Sequence, residues 1–281
     1  MTKNRFIKIG NYVSYAFLIL FATACNNNKV EETKNNTDTV KTATNEVKPG
    51  TPIAYDNSKR YIYLTWDDGP QPPGTNNCKY LFEEQGVKAT FFIVGMNHSA
   101  PKRIKLIDSI RQQYPQFLLA NHSHTHAFRE NYKKFYSSVD SAVNEFVKAQ
   151  DDMRIPLKII RLPGNNSWVS NGDIKGPKST LAVCKGLDSL GFKVIGWDIE
   201  WQFKGSAPKQ TGDEILKQIN DKFETGYLHR DNHLVILAHD RMFQKPEHIE
   251  ELRKVIATLK QDGRYVFETI DHYPTVQGEP K

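Results

Sequence analysis

Two short segments of the chain place acids and histidines directly after apolar residues. Asp67 and Asp68 follow the run Tyr-Leu-Thr-Trp, and His122 and His126 belong to a segment that follows Leu-Leu-Ala-Asn. One carboxylate and two imidazoles form a ligand set for a divalent metal ion, and three protein ligands leave a coordination position open for water. We therefore predict a hydrolase site in which Asp68, His122 and His126 bind a metal and Asp67 remains free for proton transfer.

The same residue types can hydrolyse an amide. That reaction requires an activated water, stabilisation of charge on the carbonyl oxygen, and a proton for the departing nitrogen. A bound zinc ion lowers the pKa of its water toward about 7 and polarises the carbonyl. Asp67 is a candidate to accept the proton of the water, and His239 is a candidate to deliver one to the amine, because the pKa of a free imidazole is about 6.5.

These groups are distant in the chain, so a scaffold must bring them together. Apolar runs alternate with amphipathic segments, which is typical of parallel strands connected by helices. The predicted strands are residues 61–66, 89–94, 117–120, 158–162, 193–197, 234–238 and 265–267. The predicted helices are residues 75–85, 101–113, 135–154, 178–190, 211–223 and 246–261. Seven strands and six helices suit a barrel closed by strands and helices.

In such barrels, catalytic groups lie on the loops after the C-terminal ends of the strands. The candidate residues of this chain follow five of the predicted strands: Asp67 and Asp68, His122 and His126, Arg161 and Gly164, Asp198 and Glu200, and His239 with Asp240. The sequence therefore predicts that they meet at one rim of the barrel.

These motifs resemble those of the polysaccharide deacetylase family, the carbohydrate esterases of family 4 that share a NodB-homology domain. Residues 65–70, Thr-Trp-Asp-Asp-Gly-Pro, are similar to the family's Thr-Phe-Asp-Asp-Gly-Pro segment, and residues 122–126 fit its His-(Ser/Thr)-x-x-His segment. The resemblance implies an α/β fold, a distorted (β/α)7 barrel. It also implies that Asp67 is the general base and that Asp68, His122 and His126 hold zinc, with cobalt or nickel as alternatives.

The third family motif, Arg-x-Pro-(aromatic)-Gly, appears here as residues 161–165, Arg-Leu-Pro-Gly-Asn. By the resemblance, Arg161 pairs with Asp67 and orients it, and the backbone N–H of Gly164 helps to stabilise the oxyanion. Gly164 stands where the family has an aromatic residue, and Trp168 is the candidate to replace that aromatic wall. The aromatic residues Tyr132, Trp197 and Trp201 are either sugar-stacking platforms or part of the core.

The fourth motif departs most from the family. Residues 197–201, Trp-Asp-Ile-Glu-Trp, stand where the family has Asp-x-x-Asp-Trp, so either Asp198 or Glu200 is the acid that supports the catalytic histidine, and we favour Glu200. The fifth motif, Leu-x-His, is met by residues 237–239. The resemblance makes His239 the general acid and Leu237 part of an apolar pocket for the acetyl methyl group.

The N-terminal residues differ in composition from the rest. Lys3, Arg5 and Lys8 precede an apolar stretch over residues 12–22, and Cys25 follows small residues, as in the lipobox of bacterial lipoproteins. This pattern predicts a lipoprotein-type signal peptide over residues 1–25 with an acylated Cys25, which anchors the protein to the bacterial cell envelope; cleavage to a soluble secreted protein is the alternative. Residues 26–52 contain no aromatic residue and are predicted to be a flexible tether to a catalytic domain over residues 53–281.

Composition limits the kinds of fold and partner that the chain can have. The 281 residues are 38% hydrophobic and 11% aromatic, which is enough for a substantial core. The net charge of +6 comes without a dense basic stripe or a nucleic-acid-binding motif, so a nucleic acid partner is not expected. Cys78 and Cys184 either pair or remain buried free thiols, and their apolar neighbours favour free thiols. We expect a monomer.

The sequence therefore predicts an exported, lipid-anchored, metal-dependent N-deacetylase that releases acetate from an envelope glycan, either peptidoglycan or another amino-sugar polymer. An O-acetyl esterase acting on xylan-type glycans is one alternative. A glycan-binding lipoprotein that has lost turnover is another, suggested by the altered third and fourth motifs.

Overall fold

Strand Arg60–Gly69 lies in the middle of the main sheet in the computed structural model, which describes residues 48–278. The strands are β1 (Arg60–Gly69), β2 (Ala89–Ile93), β3 (Phe117–Asn121), β4 (Ile159–Ile160), β5 (Trp168–Ser170), β6 (Asp173–Lys175), β7 (Lys193–Val194), β8 (Ile199–Glu200), β9 (Phe203–Lys204), β10 (Ala207–Pro208), β11 (His233–His239) and β12 (Tyr265–Phe267). The helices are α1 (Gly74–Gln85), α2 (Pro101–Arg111), α3 (His126–Glu130), α4 (Tyr132–Ser137), α5 (Val139–Asp152), α6 (Leu181–Ser189), α7 (Gly212–Thr225), α8 (Pro246–Gln261) and α9 (Pro274–Gln277).

The parallel part of the sheet closes on itself through one stretch of chain. Its strand order is β7-β4-β3-β2-β1-β11-β8, and β12 pairs with the first residues of β1. Strand β7 pairs with β4, whereas β8, a few residues later, pairs with β11. Residues 193–200 therefore contact both ends of the strand order, and the sheet is curled. Counting this stretch as one strand gives seven parallel strands, which confirms the predicted distorted (β/α)7 fold.

Each predicted strand and helix has a counterpart in the described residues. The predicted helix at residues 135–154 is divided into α4 and α5 at Ser138, whose φ of −111° and ψ of 73° are not helical. Two antiparallel pairs, β5 with β6 and β9 with β10, were not predicted. Their strands have only two or three residues, too few for an alternating pattern to be recognised.

Side-chain alternation along β1 separates two cores. Ile62, Leu64 and Trp66 face the helices that cover the sheet, where Trp66 packs edge-on against Phe82 of α1. Tyr61 and Tyr63 belong to a different cluster inside the curled sheet, together with residues of β3, β4, β11 and the C-terminal segment. Because side chains of a strand point alternately to opposite faces, Asp67 lies on the inner face with these tyrosines.

The two described cysteines are buried free thiols, as the apolar neighbours favoured. Cys78 accepts a hydrogen bond from the indole N–H of Trp66, and Cys184 lies on the buried face of α6. Within residues 48–278, no helix combines the length and the apolar composition needed to cross a membrane.

The predicted signal peptide, the acylated Cys25 and most of the predicted tether lie outside the described residues. The last residues of that tether are described and contact the barrel. Gly50 donates its N–H to Asp271, and the carbonyl oxygen of Thr51 lies 3.1 Å from Nε2 of His272.

A buried histidine inside the barrel makes the unfolding free energy of the protein depend on pH. Nδ1 of His233 lies 2.9 Å from the hydroxyl of Tyr63, and its ring stacks on Tyr61. Burial lowers the pKa of His233 from 6.5 to about 4. Between these values, the unfolded chain binds a proton more readily than the folded protein, so the stability that the neutral imidazole contributes is complete above pH 6.5 and is lost as the pH falls toward 4.

We therefore expect His233→Gln to reduce the loss of unfolding free energy between pH 6.5 and pH 4, because the glutamine amide can still hydrogen-bond the Tyr63 hydroxyl but does not titrate. Urea unfolding at a series of pH values measures this loss. The control is His98→Gln, at a histidine outside this cluster, which should follow the wild-type curve. Parallel curves for His233→Gln and the wild type would show that His233 does not cause this loss of stability.

Candidate active site

The three predicted ligands lie together at the end of the barrel where β1 and β3 terminate. Oδ1 of Asp68 is 3.1 Å from Nε2 of His126 and 3.5 Å from Nε2 of His122. One ligand atom from each of the three residues lies within 4.8 Å of the others. Three potential donor atoms in this space can share one ion.

The surroundings of these atoms also fit a divalent ion. Oδ1 of Asp68 is buried and, among the described residues, has no hydrogen-bond partner of acceptable geometry. Nδ1 of His122 lies 3.0 Å from the carbonyl oxygen of Arg161, so the ring can donate its proton there and present the lone pair of Nε2 to a metal. Burial opposes ionisation of Asp68, but the two imidazoles hold its carboxyl pKa well below the usual range.

A break in strand geometry brings the two adjacent aspartates to the same site. Regular alternation would point Asp67 and Asp68 to opposite faces of the sheet. The register of β1 against β2 shifts between Trp66 and Gly69, and Asp68 has a φ of 71°. Aspartate is among the few non-glycine residues that tolerate this left-handed conformation. Both carboxylates therefore approach His122, at 3.6 Å for Oδ2 of Asp67 and 3.5 Å for Oδ1 of Asp68.

The segment that carries His126 has an unusual backbone. All five residues of α3 have positive φ, so this element is a left-handed turn, not a right-handed helix. Side chains that precede it hold this region: Oδ1 of Asn121 accepts the N–H of Ser123, and the hydroxyl of Thr125 accepts the N–H of Phe128. Such a turn is unfavourable for L-residues and persists only where its surroundings fix it.

Arg161 is fully buried next to Asp67. Its Nη1 donates to Oδ1 of Asp67 at 2.9 Å and to the hydroxyl of Thr65 at 2.7 Å. Its Nε and Nη2 donate to the carbonyl oxygens of Ile195 and Gly196. One oxygen of Asp67 is thus held by a guanidinium, whereas the other faces the predicted ligands.

His239 lies in the same cavity, and the two acids considered as its support have different surroundings. The carboxylate of Asp198 accepts the backbone N–H groups of His229 and Val235, both at 2.8 Å. It therefore connects the loop that contains His229 to strand β11. Both carboxylate oxygens of Asp198 are thus engaged by backbone N–H groups. Glu200 faces the cavity, where burial and then the nearby Asp67 raise its carboxyl pKa.

No hydrogen bond joins either acid to His239 in the described part of the chain. Nδ1 of His239 is buried without a partner, and its ring lies 4.7 Å from the ring of Phe203, measured between centroids. Burial lowers the imidazole pKa of His239, and the charges of Asp68 and Asp67 act in the opposite direction.

A cavity of about 410 Å³ connects these groups. The residues named from the sequence that line it are Asp67, Asp68, His122, His126, Tyr132, Gly164, Trp197, Glu200, Leu237 and His239. Arg161 is not among the lining residues, but it contacts two of them, Asp67 and His122.

Two predicted substrate-binding residues lie elsewhere. Trp168 is 8% exposed and stacks on His229 with ring centroids 3.9 Å apart, because the hairpin of β5 and β6 directs it into the barrel. Trp201 is 1% exposed, donates its indole N–H to the carbonyl of Gln210 and packs against Phe243. Both are core residues, so their assignment to substrate binding is corrected.

Tyr132 occupies the space that Gly164 leaves open. Gly164 has a φ of 64°, and a Cβ atom built there would lie 2.8 Å from Cε1 of Tyr132. The aromatic wall beside Gly164 is therefore provided by the start of α4 and not by Trp168.

Four further residues that line the cavity were not predicted: Glu130, Leu162, Phe203 and Arg241. Arg241 donates from Nη2 to Oδ2 of Asp68 at 3.0 Å, so it holds the carboxylate oxygen that faces away from the imidazoles. Its position two residues after His239, in the same loop, was the available signal.

Comparisons with known proteins agree with this fold and cavity. The sequence profile of the polysaccharide deacetylase family matches residues 54–165. The peptidoglycan-N-acetylglucosamine deacetylase of Bacillus cereus is 22% identical over 76% of this chain and 88% of its own length. The chitin disaccharide deacetylase of Vibrio alginolyticus is 22% identical over 79% of this chain and 73% of its own.

Among solved structures, a family 4 carbohydrate esterase from Streptococcus mutans superposes with a TM-score of 0.58, at 23% identity, over 76% of this chain and 87% of that one. The fold is thus that of the NodB-type barrels. Residues 54–165 are thus similar in sequence to the polysaccharide deacetylase family.

The packing of Tyr132 on Gly164 gives a test of the cavity wall. We expect Gly164→Ala to lower the unfolding free energy by about 1–3 kcal/mol for the positive φ, and by a further amount because the new methyl group meets Tyr132. Gly172→Ala is the matched control, since Gly172 has a φ of 85° and no atom lies within 4 Å of the place that a new methyl group would take. Chemical denaturation measures both variants, and equal losses would show that Tyr132 does not fill the space.

Proposed function

We propose that the protein is a metal-dependent deacetylase that hydrolyses N-acetyl groups of an envelope glycan, peptidoglycan or another amino-sugar polymer, and releases acetate. The observation that carries the proposal is the convergence of Asp68, His122 and His126 with Asp67 and His239 in one cavity. The names of the relatives from Bacillus cereus and Vibrio alginolyticus, which are deacetylases of peptidoglycan and chitin disaccharide, support the class of substrate.

In this proposal, Asp68, His122 and His126 hold a divalent ion, zinc or else cobalt or nickel. When bound, the ion supplies a water of lowered pKa and polarises the substrate carbonyl. The rest of the reaction depends on proton transfers by residues of the chain.

Asp67 accepts the proton of the water at Oδ2, because Oδ1 is held by Arg161. His239 delivers a proton to the departing nitrogen. Leu237, which is buried at the cavity wall, contacts the acetyl methyl group, and the backbone N–H of Gly164 helps to stabilise the oxyanion. Glu200 is the acid that remains to support His239, since Asp198 is bonded to backbone N–H groups.

The proposed location is the bacterial cell envelope, with a lipid on Cys25. The basic start of the chain, its apolar stretch and the small residues before Cys25 support export and lipidation. An anchored, monomeric domain at the end of a tether would work on glycan near the membrane surface, which is why we favour an envelope polymer as the substrate.

Two substitutions separate turnover from metal binding. We expect Asp67→Asn to lower acetate release by a factor of about 10² or more, because the base is lost, while the metal content stays the same. We expect His126→Ala to lose the metal, because one of three ligands is removed. Elemental analysis after dialysis and an acetate assay provide the two measurements.

The control for these substitutions is His98→Ala, at a histidine outside the cavity, which should keep both metal and activity. Full metal content in His126→Ala would mean that the ligand assignment is wrong.

The substrate is identified by analysing products by mass. Purified protein loaded with zinc or cobalt is incubated with peptidoglycan, chitin oligomers and acetylated xylan. We expect a loss of acetyl groups from an N-acetylated glycan. Acetate from xylan alone would indicate an O-acetyl esterase, and binding of glycans without acetate from any of them would indicate a binding protein.

A further inference from the structure

A second cavity, of about 250 Å³, adjoins the one that contains the candidate catalytic groups. The two cavities share Asp68, His126, Glu130 and Arg241, so they adjoin at the predicted ligands. The second cavity is therefore within reach of a ring substituent next to an acetamido group that lies at the ligands.

Two guanidinium groups line this second cavity, from Arg129 of α3 and from Arg241. We call it the arginine cavity; Val94 and Met96 supply its apolar wall. Arg129 is exposed, and within residues 48–278 it forms no ion pair. Arg241 uses Nη2 to hold Asp68, whereas its Nε is buried and has no acceptor in that part of the chain. The cavity thus contains hydrogen-bond donors of positive charge that the protein itself leaves unused.

The other polar groups of the cavity are mostly engaged. The amide of Gln71 donates to the carbonyl oxygen of Asp68, and so does the amide of Asn97, whose side-chain oxygen accepts from Arg103. Glu130 is the remaining acid, and it is exposed at the boundary with the catalytic cavity. The unused groups are therefore mainly donors, which favours an anionic ligand.

We propose that the arginine cavity binds a carboxylate that the glycan carries close to the acetamido group to be hydrolysed. The inference rests on the proposed deacetylase function and specifies its substrate as an acidic amino-sugar glycan. A guanidinium matches the two oxygens of a carboxylate with parallel hydrogen bonds, and Val94 with Met96 can pack against the carbon atoms that attach the acid to the ring. A neutral sugar leaves these donors without a partner.

Three tetrasaccharides test the proposal on the metal-loaded, full-length protein. The first is chitotetraose, which is neutral. The second alternates N-acetylglucosamine with N-acetylmuramic acid, which carries a lactyl ether carboxylate on the ring carbon next to the acetamido group. The third is the hyaluronan tetrasaccharide, whose carboxylate belongs to the neighbouring uronic acid. Acetate release gives kcat/KM for each, and calorimetry gives the affinity.

We expect one of the acidic tetrasaccharides to exceed chitotetraose in kcat/KM by about tenfold or more, because a hydrogen bond to a charged group contributes roughly 1.5–3 kcal/mol. Arg129→Gln should reduce this ratio by about the same factor. Arg154→Gln is the matched control and should leave the ratio unchanged: Arg154 is likewise exposed with a positive φ, of 49° against 56° at Arg129, but lines neither cavity.

The possible failures are distinguishable. Equal kcat/KM values for the three sugars, or a loss in Arg129→Gln that is the same for all three, would overturn the arginine cavity and leave the deacetylase function in place. Absence of acetate from every sugar, together with tighter binding of an acidic one that depends on Arg129, would overturn the deacetylase function and support the cavity.

Discussion

The buried guanidinium of Arg161 is the contact on which the geometry of the site depends. It donates to Asp67 and Thr65 on β1 and to backbone carbonyls of residues 193–200, and its own carbonyl oxygen lies against His122. A charge moved from water into a protein interior costs several kcal/mol unless it is paired and fully hydrogen-bonded. The partners of this cation come from separate strand ends, so they are all present only when the barrel is closed. The position of the base and of one ligand is thereby coupled to the closure of the sheet.

The same closure explains why the site needs an irregular backbone. A regular strand would give one carboxylate to the barrel interior and the next to the helices outside, which is what happens to Tyr63 and Leu64 earlier in β1. The left-handed residue Asp68 and the register shift beside it place two consecutive carboxylates on the same side. Strain of this kind costs of order 1–3 kcal/mol per residue and is retained where surrounding contacts fix the conformation.

The strands, the helices and the metal-ligand cluster could be predicted because each depends on local pattern. Apolar runs identify the parallel strands and helical periodicity identifies the longer helices, and the positions of Asp68, His122 and His126 after two strands bring them to one rim. The direction of Trp168 could not be read in this way, because it depends on a three-residue hairpin whose pairing is set by distant residues.

The directions of the two acids in the fourth motif could not be predicted for the same reason. Asp198 and Glu200 are two positions apart, which in a regular strand would give them the same face, yet they belong to the irregular end of the barrel. Asp198 is bonded to the backbone N–H groups of His229 and of Val235 in β11, and Glu200 faces the cavity. The contact of Arg241 with Asp68 joins residues 173 positions apart in the chain, and no short motif encodes it.

The replacement of the motif's aromatic residue by Gly164 transfers one wall of the cavity to another segment. Tyr132 fills the space above Gly164, and it follows directly on the left-handed turn that contains His126 and Arg129. The ring of Tyr132 lies edge-on to that of His126, with centroids 6.1 Å apart. A ligand, an aromatic wall and a guanidinium thus share one seven-residue stretch, 126–132. In the proposed mechanism, changes in its length or conformation would alter metal geometry and substrate selection together, whereas the loop after β4 positions the proposed base and His122 through Arg161 and supplies the backbone N–H of Gly164.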